Sequence, residues 1–101
     1  MMTKEEFDAE FISDDCVVRA DTMDEWREIN RYCVEQLGLR QSEMYETHDC
    51  GRYPYVYRRS INFVGAMSRP EGRNVVPFGD FLVITQQDEE DIVCGSLEEV
   101  L

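Results

Sequence analysis

Thr22-Met23-Asp24-Glu25-Trp26-Arg27-Glu28-Ile29-Asn30-Arg31-Tyr32-Cys33-Val34-Glu35-Gln36-Leu37-Gly38 is the stretch from which the fold can be read. Thr22, with Glu25 three residues later, is a capping-box pattern, and acids crowd the first turn, where the helix dipole favours negative charge. Met23, Trp26, Ile29, Cys33 and Leu37 recur at steps of three and four, which draws one apolar stripe along a helix. Gly38 supplies a left-handed stop. The pattern predicts a helix over 23–37 whose stripe, with Trp26 near its middle, has to be covered by other elements.

Toward the amino terminus, Cys16-Val17-Val18-Arg19-Ala20 reads as a short strand bounded by polar residues. Before it, Thr3 and Glu6 form another capping box, and Phe7, Phe11 and Ile12 share one face of a short acidic helix that Asp14-Asp15 interrupts. Toward the carboxyl terminus, 39–52 loses periodicity and reads as loop, with a turn at His48-Asp49-Cys50-Gly51. Tyr53, Tyr55 and Tyr57 then alternate with other residues, and Ile61, Phe63, Gly65 and Met67 repeat that period of two, predicting two antiparallel strands joined near Arg58–Ser60. After a turn-rich break at Ser68–Gly72, Asn74-Val75-Val76 reads as a strand closed by Pro77. Phe78–Thr85 fits either a helix beginning near Asp80 or a strand, and its β-branched residues favour the strand.

A chain of 101 residues is enough for one core and too short for two. The expectation is therefore a single α+β domain, a small antiparallel sheet of three or four strands packed by one main helix, with a short acidic helix at the start. Its divisions fall at an acidic segment 1–15, a core 16–85 and an acidic segment 86–101.

The formal charge of −12 exceeds the magnitude of about 2 to 8 usual for a small soluble domain. Residues 1–25 hold nine acids and two bases, residues 26–76 six acids and eight bases, and residues 77–101 seven acids and no base. Two acidic ends flank an arginine-bearing middle. Such a surface repels nucleic acid and anionic lipid and attracts cationic partners. No apolar run approaches the roughly 18 residues of a membrane span, and Met1–Phe7 lacks the apolar stretch of a secretory signal, so a cytoplasmic location is expected. In that compartment Cys16, Cys33, Cys50 and Cys94, which form no CxxC pair, are expected to be free thiols.

No constellation amounts to a catalytic or cofactor signature. His48 and Cys50 are one close pair, whereas structural zinc needs four ligands and a thiol nucleophile needs an oriented base, so the pair reads as part of a turn. No GxxxxGK[ST] or GxGxxG loop is present to cradle phosphate. Adjacent carboxylates say little in a chain with 22 acids, and Asp88–Asp91 lacks the spacing of a calcium loop. Neither a metal nor a cofactor is expected, and no activity as an enzyme. Three binding readings remain. In the first, Glu5, Glu6, Asp8, Glu10, Asp88, Glu89, Glu90 and Asp91 imitate a run of phosphates and enter the basic groove of a partner protein. In the second, Arg58, Arg59 and Arg73 grip a small anionic signalling nucleotide, as a sponge would; in the third, the stripe of Tyr53, Tyr55 and Tyr57 stacks nucleic-acid bases in a regulator.

Cys16-Val17-Val18-Arg19-Ala20-Asp21-Thr22-Met23-Asp24-Glu25-Trp26 resembles the strand, capped turn and helix that open many small bacteriophage accessory proteins. Gly72-Arg73-Asn74-Val75-Val76-Pro77-Phe78-Gly79-Asp80-Phe81-Leu82 is similar to their closing segment. The resemblance implies a phage origin, a compact sheet with one main helix, and a place in the bacterial host cell. Some small acidic proteins of that provenance are anti-CRISPR or other anti-defence inhibitors. The leading expectation is thus an inhibitor of a basic, nucleic-acid-handling defence protein, with no direct contact to nucleic acid or membrane.

Because no paired cysteine spacing is present, chelator treatment should leave the melting temperature unchanged; a fall on chelation, or stoichiometric zinc in elemental analysis, would reveal a metal that contributes to folding.

Overall fold

In the computed structural model, which describes residues 2–41 and 45–86, three helices pack on one face of a four-stranded sheet. The chain runs α1 (Lys4–Ile12), β1 (Cys16–Arg19), α2 (Met23–Leu37), β2 (Tyr55–Arg58), β3 (Val64–Met67), β4 (Asn74–Val76) and α3 (Phe78–Thr85). The α+β class is as the sequence predicts.

Local signals set the first two helices. Thr3 closes a reciprocal capping box with Glu6, and Thr22 accepts from the Glu25 amide, so both helices start where their caps direct. Gly38 ends α2 at φ 70°, a left-handed conformation that glycine adopts without steric cost. The stripe of α2 buries Trp26, Ile29 and Cys33. Helix α1 is part of the core rather than an acidic appendage, because Phe7 and Phe11 are fully buried.

Strand order is β3-β2-β1-β4. β1 and β2 are antiparallel with Val18 opposite Val56, and β2 and β3 are antiparallel with Val56 opposite Ala66. The expected hairpin is present, turning through Arg59–Phe63 with the Arg59 amide donating to Phe63 O at 2.9 Å. The fourth strand departs from expectation, for β4 lies parallel to β1 with Val17 beside Val75. Ser68–Arg73 carries the chain back past β2 and β1, turning at Glu71 and Gly72, which hold φ of 52° and 79°. No tight turn joins β3 to β4, so nothing local obliges them to be antiparallel neighbours.

Phe78–Thr85 is a helix and not the strand its β-branched residues favour. Pro77 stands at the N-cap with φ −61° and ψ 153°, Asp80 sits in the first turn, and Phe81 and Ile84 turn inward while Val83 is half exposed. Phe81 meets Phe7 edge-on at 5.7 Å and Tyr32 at 5.5 Å. Those aromatic contacts outweigh a β preference that spans only about 1 kcal/mol. Tyr53 also falls outside the expected strand, which begins at Tyr55.

The core joins Phe7 and Phe11 from α1, Trp26, Ile29 and Cys33 from α2 and Phe81 and Ile84 from α3 to Cys16, Val18, Val56 and Val76 of the sheet. The Trp26 indole N–H donates to Tyr45 O at 2.9 Å, so the buried ring leaves no polar atom unpaired. Trp26→Ala should cost about 3 to 5 kcal/mol in equilibrium urea unfolding; a loss under about 1 kcal/mol would mean that the α2 stripe does not hold the core together.

Candidate functional site

The residues that could meet a partner divide between the acidic surface of α1, the arginines and tyrosines of the sheet, and the loop that carries His48 and Cys50. On α1, Glu5 and Glu6 are exposed. Glu6 is engaged by the cap, and the backbone and side-chain hydrogen bonds of Thr3 lower its pKa. Asp8 and Glu10 are committed inward. Asp8 accepts from the Tyr32 hydroxyl at 2.6 Å and pairs with Lys4 at 3.6 Å, while Glu10 accepts from Asn74 Nδ2 at 3.2 Å. Asp88, Glu89, Glu90 and Asp91 lie outside the described residues.

Arg58, Arg59 and Arg73 do not converge on one cradle. Arg58 sends Nη1 to the Ile12 carbonyl and Nη2 to the Ile61 carbonyl, bracing the end of α1 against the hairpin. Arg73 is clamped by Asp14 through Nε at 2.8 Å and Nη2 at 2.6 Å, and that hydrogen bonding raises its pKa. The pair joins the α1–β1 turn, where Asp14 holds φ 61°, to the segment that enters β4. Arg59 is exposed, with its side chain laid over Gly65, where an added Cβ would come within 2.8 Å of the Arg59 Cβ.

Alternation places Tyr55 and Tyr57 on the face of the sheet opposite the helices, since Val56 between them is in the core. Each ring is attended by an arginine of this chain. Arg19 lies 5.6 Å from the centroid of Tyr55 and donates to its hydroxyl, and Arg73 lies 5.6 Å from that of Tyr57. Arg19 is held in turn by Asp21 at 2.9 Å. The face therefore carries two arginine–tyrosine pairs of the chain itself, with Val17 beneath it fully buried. Tyr53 is absent from this row and stands near His48 instead.

His48 stacks flat on Trp26, with centroids 3.7 Å apart and planes 12° from parallel, and its Nε2 is 2.9 Å from Tyr53 O. Nothing in the sequence pattern pairs the two rings, because His48 lies 22 residues beyond Trp26 in a polar segment without periodicity. Cys50 is buried beside Met23, with Sγ 3.8 Å from Sδ, and burial pushes its thiol pKa up, as do Asp49 and Glu25. Burial raises Cys16 to about 12 and raises Cys33 as well. These three thiols are packed as small apolar side chains, protonated at neutral pH. Among the described residues no group of three or more His, Cys, Asp and Glu could hold a metal ion.

A depression of about 510 Å³ runs along the outer side of α2, lined by Asp24, Arg27, Glu28, Arg31 and Glu35. Its cations are engaged: Arg27 pairs with Asp24, and Arg31 with Glu28 and Glu35. No family model, curated protein or solved structure matches the chain.

The His48 stack makes a pH prediction. Burial lowers the His48 pKa, against the raising effects of its bond to Tyr53 and of Asp49. Between the folded value and the ordinary one near 6.5 the unfolded chain binds more protons, so this site's contribution is complete above 6.5 and is lost as pH falls through the folded value. The chain has one histidine, so its imidazole NMR signal should titrate below about 6.5, and urea stability should fall between about pH 7.5 and 5.5 in the wild type more than in His48→Phe. A midpoint at or above 6.5 would reverse the sign.

Proposed function

We propose that the protein is a non-enzymatic inhibitor that binds a basic, nucleic-acid-handling protein of a bacterial defence system, with anti-CRISPR activity as the concrete form. Its carboxylates stand in for phosphates in the partner's groove. The observation that carries this reading is how the charge is disposed. The chain has a formal charge of −12, and Lys4, Arg19, Arg27, Arg31 and Arg73 each have a carboxylate of the same chain within 4.0 Å. Cations tied in this way are poorly placed to release counterions from a nucleic-acid backbone, whereas Glu5 and Glu6 face solvent without a cation among the described residues. Association with a positive groove is favoured by the net field and weakened by salt.

Two features make the other readings less apt. The arginines of the sponge reading occupy separate structural positions, and the tyrosine rings that a base would stack on carry arginines of the chain itself. Of the residues expected to bind, Asp8 and Glu10 serve the fold through Tyr32 and Asn74, and Glu6 accepts from the Thr3 amide in the cap, so on α1 the role falls first to Glu5, with Glu6 adding an exposed charge.

A variant carrying Glu5→Lys, Glu6→Lys, Asp88→Lys, Glu89→Lys, Glu90→Lys and Asp91→Lys should lose protection of phage in an anti-defence plaque assay. It should also associate with the purified target at least about tenfold more slowly at low salt, the wild-type advantage shrinking as salt rises. Full protection by this variant would exclude phosphate imitation.

A further inference from the structure

Charge brings two proteins together, but the slow step of leaving is set by desolvated contacts, most often a side chain seated in a pocket near the middle of the interface. Among the described residues the large apolar side chains that reach solvent are Val34, Tyr53, Ile61, Val75 and Val83, and Ile61 stands apart at 74% exposed. A single exposed apolar side chain is ordinary on a protein surface. What distinguishes Ile61 is how firmly its turn is held.

Ile61 sits at the tip of the β2–β3 hairpin, and two arginines brace that tip from opposite strands of chain. Arg58 Nη2 donates to the Ile61 carbonyl while Nη1 holds the Ile12 carbonyl at the end of α1. On the other side the Arg40 amide donates to Asn62 O at 2.6 Å and the Val64 amide donates to Arg40 O at 3.0 Å, with the Arg40 guanidinium 5.9 Å from the Phe63 centroid. Within the turn, Arg59 and Phe63 are bonded through their backbones at 2.9 Å. The brace has a cost, because the Arg58 Nε is buried without a hydrogen-bond partner among the described residues. An unpaired buried donor is unfavourable for folding, and what it accompanies is a hydrogen-bonded tip with an uncovered isoleucine.

The charged side chains that flank Ile61 at the tip are positive. Arg40 and Arg59 are exposed and, like Arg52 and Arg69 elsewhere, have no carboxylate partner among the described residues, whereas Lys4, Arg19, Arg27, Arg31 and Arg73 are paired. A depression of about 240 Å³ lined by Arg59, Ser60, Phe63 and Val64 flanks the isoleucine. The surroundings fit a partner surface of the opposite sign.

We infer that this hairpin tip is the anchor by which the chain holds its partner: Ile61 enters an apolar pocket on a protein, and Arg40 and Arg59 meet carboxylates at the pocket's rim. The inference rests on the reading that the chain binds a protein, and it divides the labour within that interface. The acids govern approach. The tip governs release. With its backbone already hydrogen-bonded, the turn forfeits little loop entropy on docking.

The test uses the full chain with a photo-reactive p-benzoylphenylalanine at position 61, and in parallel at positions 5 and 83, expressed in bacteria that carry the defence system. A protein adduct at position 61, followed by kinetics of the purified adduct partner with Ile61→Asp and Ile61→Ala, is decisive. Expected is a dissociation rate raised at least about 30-fold by Ile61→Asp with a nearly unchanged association rate, and a melting temperature within about 4 °C of wild type, as suits an exposed position. Arg59→Glu should raise the dissociation rate in the same direction. An unchanged dissociation rate in Ile61→Asp, or protein adducts only at position 5 or 83, would overturn the anchor and leave the proposed function standing, whereas an adduct with nucleic acid at position 61 would overturn both. No adduct at any position would overturn both.

Discussion

Everything in the fold leans on β1, four residues that have a strand on each side and helices above. Cys16, Val17 and Val18 are wholly buried, and β2 and β4 take opposite edges of the strand. Strands of three or four residues make too few ladder hydrogen bonds to persist alone. Their stability comes from the aromatic layer on the helix side, where Phe7, Trp26 and Phe81 arrive from three separate helices. Without that layer the sheet would have no reason to assemble, and without the sheet the three stripes would face water.

The same economy explains how polar groups are used. A chain rich in acids has few cations with which to satisfy them, and two of these, Arg58 and Arg73, stand at seams between elements. Arg73 with Asp14 ties the α1–β1 turn to the entrance of β4, Arg58 ties the end of α1 to the hairpin, and Tyr32 with Asp8 ties α2 to α1. Exposed pairs along α2, such as Arg27 with Asp24, add little stability, since ion pairs in water are worth about 0 to 1 kcal/mol. Their consequence is for recognition: positive charge held against the chain's own carboxylates is not offered to phosphate, and the outward field stays negative.

Two surfaces follow from this arrangement, and they differ in kind. The acids of α1 act at a distance, through a field that salt screens within about 10 Å at 0.1 M. The hairpin tip acts only on contact, through one apolar side chain and two arginines with no internal carboxylate. An interface combining both would associate quickly and separate slowly, a division seen wherever rim charge and a buried anchor serve different rates.

Local chemistry was enough for part of this. The sequence alone determined α1 and α2, their caps and the Gly38 stop, because a capping box and a 3.6-residue stripe are complete within a dozen residues. It determined the antiparallel pairing of β2 and β3 for the same reason, the alternation and the turn being adjacent in the chain. It determined the net charge and its concentration at the ends. Tertiary structure decided α3, an eight-residue segment apolar enough that neither period was readable until Phe81 met Phe7 and Tyr32. It decided that β4 runs parallel to β1, a pairing between residues 58 positions apart, with Arg73 closing on Asp14 at a separation of 59. It decided which acids are free and which are committed, and it set His48 against Trp26. Each of these depends on what a residue meets across the molecule, and a one-dimensional pattern records only what it meets along the chain.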